Sequence, residues 1–245
     1  MFGTLINVMA IVAGGLAGRA MTWQPSTYVQ KRLRVLLGAL VLAFGFYGIG
    51  RSFEGSLGRM LAQFAVAVGA MVLGRLLGRA LGLQRRLNGI GRRATALLSE
   101  AAAGKRPGFG DAFVACAGLF CLTPLAVIGS VPDGLREDFQ LLAVKGAMEG
   151  LAAWAMIRSL GWGALAAALP VLAFQGTLTL IVRSLAPEMA SHSMAAVLGI
   201  TAGLMATSVA MLVLEIHRAL RSRPVDVADY LPSLLVAPLL ARWLL

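Results

Sequence analysis

Lys145 and Glu149 are two ionisable residues four positions apart in an otherwise apolar stretch. On a helix they share one face. Each requires an explanation, because a charged side chain at the bilayer centre costs roughly 2.5–3.5 kcal/mol on insertion scales. One explanation is a closed ion pair that joins helices. The other is a site where the Glu149 carboxylate binds a cation or proton and Lys145 competes with it by charge. Gly146 and Gly150 would admit a neighbouring backbone or a solute beside the pair.

Two amide side chains, Gln175 and Asn7, are also expected within apolar spans. Gln175 falls near mid-membrane, after Pro170, which cannot donate to the carbonyl of Ala166 and leaves that carbonyl free. Asn7 falls in the outer third of the first span. Either amide could line a polar path or make a hydrogen bond between helices, and for Asn7 the hydrogen bond is favoured.

Acidic residues are expected at the membrane edges. Asp133 is predicted to lie in an outer loop, where with Glu137 and Asp138 it forms an acidic mouth that attracts cations. The alternative for Asp133 is a turn residue with solvated neighbours. Asp229 is predicted to open the last span, either as part of the polar path or only as the N-cap of that helix.

Patterns typical of enzymes are missing from the sequence. It has no Gly-rich phosphate loop, no His-Glu-x-x-His metal motif and no nucleophile elbow. Cys116 and Cys121, five residues apart on one span, point to different faces of a helix and have no metal-ligand spacing. We therefore expect no enzymatic activity, no cofactor and no bound metal.

Membrane-spanning helices must position these residues. The chain is 58% hydrophobic and 13% charged, with a mean hydropathy of +0.80, whereas about a quarter of a soluble domain is charged. Apolar stretches of about twenty residues, long enough to cross a bilayer as helices, recur along it. The prediction is an all-α polytopic bundle forming one membrane domain over residues 1–245. Its eight spans, with breaks expected at Pro124 and Pro170, are 2–21, 34–50, 60–82, 109–130, 141–158, 162–183, 193–216 and 229–245.

The basic residues predict an orientation. Of the 22 Lys and Arg residues, fourteen fall in loops on one side of the eight-span arrangement and five on the other. The positive-inside rule then places both termini outside, in a bacterial inner membrane. Because the positive charges flank the spans, the net charge of +11 does not indicate a nucleic-acid partner.

Two further patterns concern partners. Residues 84–108 form the longest loop, predicted as an amphipathic helix on the cytoplasmic surface held by anionic lipid, with a solvated linker as the alternative. Gly74, Gly78 and Gly82 form a stripe at four-residue spacing that predicts close helix packing and is compatible with a homo-oligomer.

Several motifs follow one another in a fixed order along nearly the whole chain. They are Gly3-Thr4-Leu5-Ile6-Asn7 with Gly14-Gly15, Leu119-Phe120-Cys121 leading to Ile128–Leu135, Lys145–Gly150, Ser159–Gly163, Ala168–Leu172, Gln175-Gly176 and Asp229-Tyr230-Leu231-Pro232. In this order they resemble the YqgA/YdfK-like family of uncharacterised bacterial multi-pass membrane proteins. The resemblance implies architecture and location but no activity. Asp229 stands where that pattern has Asn and Glu149 where it has Asp, and both keep an oxygen ligand. The opening motif alone is also similar to small dual-topology fluoride channels.

The function expected from these residues is passage of a small ion or solute through the inner membrane. Glu149, Lys145, Gln175 and Asn7 would line the path, with Asp133 at the outer mouth. The alternative is a non-transporting scaffold or assembly partner. The transporter and the scaffold predict different states of the Lys145–Glu149 pair. A pair that is sealed, dry and permanently matched favours the scaffold.

Overall fold

A computed structural model describes residues 1–21, 26–105, 107–189 and 193–245. Arg106, counted above among the basic loop residues, and His192 lie outside this part of the chain. Within it the secondary structure is entirely helical. The elements are α1 Phe2–Ala20, α2 Thr27–Ser52, α3 Leu57–Leu81, α4 Leu83–Ala102, α5 Phe109–Cys121, α6 Pro124–Arg136, α7 Gln140–Leu160, α8 Trp162–Ala166, α9 Ala168–Met189, α10 Met194–Val213, α11 Ile216–Ala219, a 3-10 turn Val227–Tyr230 and α12 Ser233–Leu244.

Six segments of the described chain are long and apolar enough to cross a membrane: α1, α2, α3, α8 with α9, α10, and the 3-10 turn with α12. Helices α5 and α6 make a seventh if the bent pair is one span. The fifth predicted span, 141–158, corresponds to α7, which is not among them and carries Lys145, Glu149 and Arg158. The all-α polytopic bundle is confirmed, and eight is an approximate count.

The two predicted breaks differ in size. Helix α5 ends at Cys121, and Pro124 occupies the first position of α6, where its missing N–H removes no hydrogen bond. Helices α5 and α6 meet at an angle of 52°. Near Pro170 the interruption is smaller, because only Ala167 separates α8 from α9 and the two helices make one span of 28 residues.

The helix ends gather in two groups. At one, called here the far end, Ser52 lies near Arg136 and Glu137 lies near Arg183. At the other, called the α4 end, Arg34 pairs with Glu215. Successive long helices run between these ends in alternate directions, so that α1 begins and α12 finishes at the far end.

Close backbone crossings join helices from the two halves of the sequence. A Cβ added to Gly14 or Gly18 of α1 would overlap the backbone of Gly150 or Trp154 of α7. On α2, Gly45 lies against α10, where a Cβ at Gly203 would lie 2.8 Å from Gly45 O. Small residues allow such approaches in lipid, where packing rather than water exclusion holds helices together.

The glycine stripe on α3 packs against the end of its own chain. A Cβ at Gly74 would lie 2.5 Å from Ser233 Cα, and one at Gly78 would overlap the backbone of Asp229. Gly82 has a left-handed φ of 64° and ends α3. The stripe therefore provides no argument for a homo-oligomer, which stays a prediction.

Helix α4 is amphipathic, and protein covers its apolar side. Ala94 is buried, and Leu97, Leu98 and Ala101 pack against the core cluster that α1, α5 and α7–α9 build. The opposite side is exposed and basic, with Arg85, Arg86, Arg92 and Arg93. The predicted amphipathic helix in residues 84–108 is thus present, and its apolar face packs against α5.

We expect Gly78→Ala to destabilise the protein, because the new methyl group must displace the Asp229 backbone. Overpacking of this kind costs roughly 1–3 kcal/mol. Gly69→Ala is the matched control, since Gly69 lies on the same helix with nothing within 4 Å of a Cβ. Thermal unfolding in detergent should show a lower midpoint for Gly78→Ala only. Equal midpoints for the two variants would contradict the crossing.

Candidate functional site

The Lys145–Glu149 pair lies inside the bundle. Lys145 Nζ is 2.5 Å from Glu149 Oε1, and the two side chains are only 2% and 7% exposed. Neither oxygen of the carboxylate has a hydrogen bond of good geometry. Lys145 therefore balances the charge of Glu149, while the hydrogen-bonding capacity of the carboxylate is only partly used.

Lys145 also makes a hydrogen bond at the break between α5 and α6. Its Nζ donates to the carbonyl oxygen of Phe120 at 3.1 Å, one of the last carbonyls of α5. These carbonyls have no partner within their own helix, and the helix dipole makes that end negative. The ammonium group thus neutralises both Glu149 and the carboxyl end of a half-helix.

Asn7, Gln175 and Thr4 continue the polar network. Asn7 Nδ2 donates to Gln175 Oε1 at 3.0 Å, and Gln175 Nε2 donates to Thr4 Oγ1 at 3.3 Å. All three residues are fully buried. Asn7 also lies beside the ion pair, because its backbone packs directly on Gly146 of α7. The structure thus brings together four of the predicted residues, Lys145, Glu149, Asn7 and Gln175, from α1, α7 and α9.

The glycines beside the pair admit the backbone of α1. A Cβ at Gly146 would lie 2.9 Å from Asn7 Cα, and one at Gly150 would lie 2.6 Å from Ala10 O. Of the two possibilities open from the sequence, the neighbouring backbone occupies this space. The close approach sets Asn7 against the pair.

Asp133 does not lie in an outer loop, because α6 continues through it to Arg136. Its side chain is buried; the backbone N–H of Gly3 donates to Oδ1 at 3.5 Å, and the Met1 amino group lies 3.2 Å from Oδ2. The sequence prediction was wrong because Gly134 does not end the helix. Gly134 instead packs against Thr179 and Val182 of α9.

The predicted acidic mouth is neutralised by arginines. Glu137 pairs with Arg183 at 3.2 Å, and Asp138 lies 3.9 Å from Arg51. Partial burial raises the pKa of Asp138, while Arg51 and Arg136 oppose that shift. The far end therefore carries paired charges rather than an acidic surface.

Asp229 belongs to a different part of the fold. The N–H of Gln84 donates to its Oδ1 at 3.0 Å, and the N–H of Ala228 donates to Gln84 Oε1 at 3.0 Å. Asp229 thus caps the first turn of α4 and lies in the 3-10 turn before the last helix. The prediction that it caps the last helix was wrong, because the helix it caps begins 145 positions earlier in the chain, and its place in a polar path stays a prediction.

Three buried polar groups in or beside the site were not found from the sequence. Thr4 and Thr179 are buried hydroxyls, and Thr179 Oγ1 has no partner. Their spacing to Asn7 and Gln175, three and four residues, could have indicated them. The Phe120 carbonyl could have been inferred only from the exact end of α5.

The polar network is enclosed. Lys145, Glu149, Asn7 and Gln175 are all buried, and none of them lines any of four well-formed cavities in the described part of the chain. In the same residues no three His, Cys, Asp or Glu side chains are grouped to hold a metal ion. The pair is therefore sealed in this conformation, although its carboxylate is incompletely hydrogen-bonded.

The fold and this network define a polytopic helical membrane protein with a buried ion pair at a broken helix. The chain belongs to the family described as "Protein of unknown function (DUF554)", whose profile matches residues 2–242. It is 25% identical to the uncharacterized membrane protein YdfK of Bacillus subtilis (strain 168), over 97% of this chain and 94% of YdfK. It is 27% identical to the uncharacterized protein YqgA of Escherichia coli (strain K12), over 98% and 97%. No solved structure matches the chain. The resemblance seen in the motifs is thereby confirmed.

We expect Lys145→Met to be strongly destabilising, because it leaves Glu149 charged and unpaired in the bundle. Removing one partner of a buried pair costs roughly 3–5 kcal/mol. The double variant Lys145→Met/Glu149→Gln should recover much of that loss. Thermal unfolding of the two single variants and the double variant in detergent measures the coupling. Additive losses would show that the two side chains do not act as a pair.

Asp229→Ala should loosen the first turn of α4, at a cost of about 1 kcal/mol. Asp229→Asn is the matched control, because an amide oxygen can still accept from Gln84. Hydrogen exchange at residues 84–87 should become faster in the alanine variant alone. If both variants exchange at the wild-type rate, Asp229 is not the cap.

Proposed function

We propose that this protein is a carrier that moves a small ion or solute across the inner membrane of a bacterium. Glu149 would bind the transported species, and Lys145 would hold the carboxylate between transport events. One observation carries the proposal. Lys145 contacts both the Glu149 carboxylate, which is buried and incompletely hydrogen-bonded, and the Phe120 carbonyl at the end of α5.

Stability alone does not account for such a pair. Bringing two charges out of water costs several kcal/mol per ion, and an apolar pair of similar volume is often neutral or more stable. Buried polar atoms in native proteins are nearly always hydrogen-bonded, whereas the Glu149 carboxylate lacks well-formed bonds. Free acceptor capacity beside a competing cation suits reversible binding of a cation or proton.

The broken helix supports the same proposal. Interrupted helices that expose carbonyls near mid-membrane are a common way to bind ions in secondary transporters. Here the Phe120 carbonyl already accepts from Lys145. Movement of the ammonium group would release one carboxylate and one carbonyl together.

The enclosed site favours a carrier over an open channel. On the side of α4, Leu119 and Thr123 line an open cavity of about 650 Å³ together with Asn88 and Arg92 of α4. Phe120 and Cys121 are buried between these two lining residues. The wall between this cavity and the pair is thus the end of α5, which supports entry from the α4 end.

The orientation and lipid contacts form part of the proposal. The concentration of Lys and Arg at the α4 end supports a cytoplasmic position for that end, with both termini outside. The exposed arginines of α4 would contact anionic lipid there. We propose neither an enzymatic activity nor a nucleic-acid partner.

A non-transporting scaffold is the second candidate. The observation that favours it is the sealing of the pair, in which Lys145 satisfies the end of α5 and Glu149 neutralises Lys145. In a scaffold this arrangement would be permanent.

Flux measurements in proteoliposomes test the carrier. Gradients of Na⁺, K⁺, H⁺ and Cl⁻ are imposed in turn, and uptake is followed with wild type, Glu149→Gln and the control Glu100→Gln, which changes an exposed residue of α4. We expect flux of at least one ion, reduced tenfold or more by Glu149→Gln and unchanged by Glu100→Gln. Inert wild type, or equal flux in all three proteins, contradicts the proposal.

Cys121 provides an independent test. Its thiol lies close enough to Lys145 and Glu149 to interact electrostatically with both, and it is buried in this conformation. In a Cys116→Ala variant, a small water-soluble thiol reagent should label Cys121 slowly in the carrier, because the site opens periodically. A Cys121→Ala variant, which retains buried Cys116, should stay unlabelled. Complete protection of Cys121 over hours would favour the scaffold.

A further inference from the structure

A cavity of about 480 Å³ lies between α2, α7 and α10 at the α4 end. It is separate from the ion pair, because neither Lys145 nor Glu149 lines it and its α7 wall extends from Met148 to Arg158, toward the end of that helix. Its volume is within the range of about 300–1,000 Å³ that is usual for small-molecule sites.

The lining changes from apolar to cationic along the helix axes. Arg34 lies near the start of α2 and Arg158 near the end of α7, so both are at the α4 end. Deeper in the bundle the walls are apolar, with Leu37, Met148 and Leu151. The polar and apolar parts are separated by roughly 5–15 Å at 1.5 Å per helical residue.

The rim of the cavity keeps a net positive charge. Glu215 lies 2.6 Å from Arg34 Nη1 and 3.0 Å from Arg218 Nη1, so one carboxylate is shared by two guanidinium groups. Arg158 adds a further positive charge, and its Nε donates to Gly18 O at 2.9 Å. A guanidinium has five N–H donors, so these contacts leave capacity at Arg34 for a second acceptor.

We propose that this cavity binds one anionic phospholipid, with the headgroup phosphate at Arg34 and Arg158 and an acyl chain along Leu37, Met148 and Leu151. Charge complementarity selects an anionic lipid over a zwitterionic one. The graded lining matches a lipid that has its phosphate at headgroup level and its chain directed inward. This site would hold a defined lipid, in contrast to the general attraction of the basic face of α4.

Trp154 lines the cavity and can report the lipid directly. In a variant with Phe at Trp23, Trp162 and Trp243, only Trp154 fluoresces. Phosphatidylglycerol and phosphatidylcholine with brominated chains are added in turn to the detergent-solubilised protein. We expect phosphatidylglycerol to quench Trp154 with at least about fivefold higher apparent affinity, the effect of about one basic group at a membrane surface.

Two variants examine the two parts of the cavity. Arg34→Gln should abolish the preference for phosphatidylglycerol and should leave folding intact, because the exposed Arg34–Glu215 pair is worth at most about 1 kcal/mol. Ala155→Phe should reduce quenching by both lipids, because it fills the apolar part without changing charge.

The matched controls are Arg86→Gln on the exposed face of α4 and Ala65→Phe on the exposed surface of α3. Both should quench like the parent protein. A preference lost equally in Arg86→Gln would mean general surface attraction. Inhibition of quenching by inorganic phosphate alone would mean a site for free phosphate, and quenching that falls as protein concentration rises would mean a second copy of the chain. Each of these results overturns the proposal.

Discussion

The structure depends on one constraint, which is that polar groups away from water must find partners within the protein. The break at Thr123 frees carbonyls at the end of α5, and Lys145 donates to one of them. A buried ammonium requires a counter-charge, which Glu149 supplies. The carboxylate in turn is accompanied by Asn7, whose amide is held by Gln175. Each member of the network therefore makes the next one necessary.

Glycines make this network sterically possible. Asn7 reaches the pair because Gly146 and Gly150 let the backbone of α1 lie directly on α7, while Gly14 and Gly18 do the same from the other helix. The crossing thus combines tight packing with polar contacts at one level of the bundle. Helix association in lipid relies on these two interactions, since burial of apolar surface gives no advantage there.

Much of this architecture could be predicted from local patterns. Apolar length gave the long helices, Pro124 marked the break, and four-residue spacing put Lys145 and Glu149 on one face. Contacts between distant residues could not be predicted in the same way. Nothing near Asp229 indicates that it caps a helix 145 positions earlier, and nothing near Asp133 shows that α6 continues through it or that α1 begins against it. Their partners are set by the three-dimensional packing of elements rather than by sequence spacing.

The distribution of strong and weak contacts indicates which parts could move in a carrier. The ends of the bundle are held partly by exposed pairs such as Arg183–Glu137 and Arg34–Glu215, and each exposed pair contributes at most about 1 kcal/mol. Helices α1 and α7, in contrast, are in backbone contact over several turns. Leu122 and Thr123 join α5 to α6 and lie outside both helices. Opening would therefore cost least if α1 and α7 stayed together and α5 moved about this junction. Such a movement would draw Phe120 O away from Lys145, and the same ammonium that satisfies the break would then be free to leave Glu149.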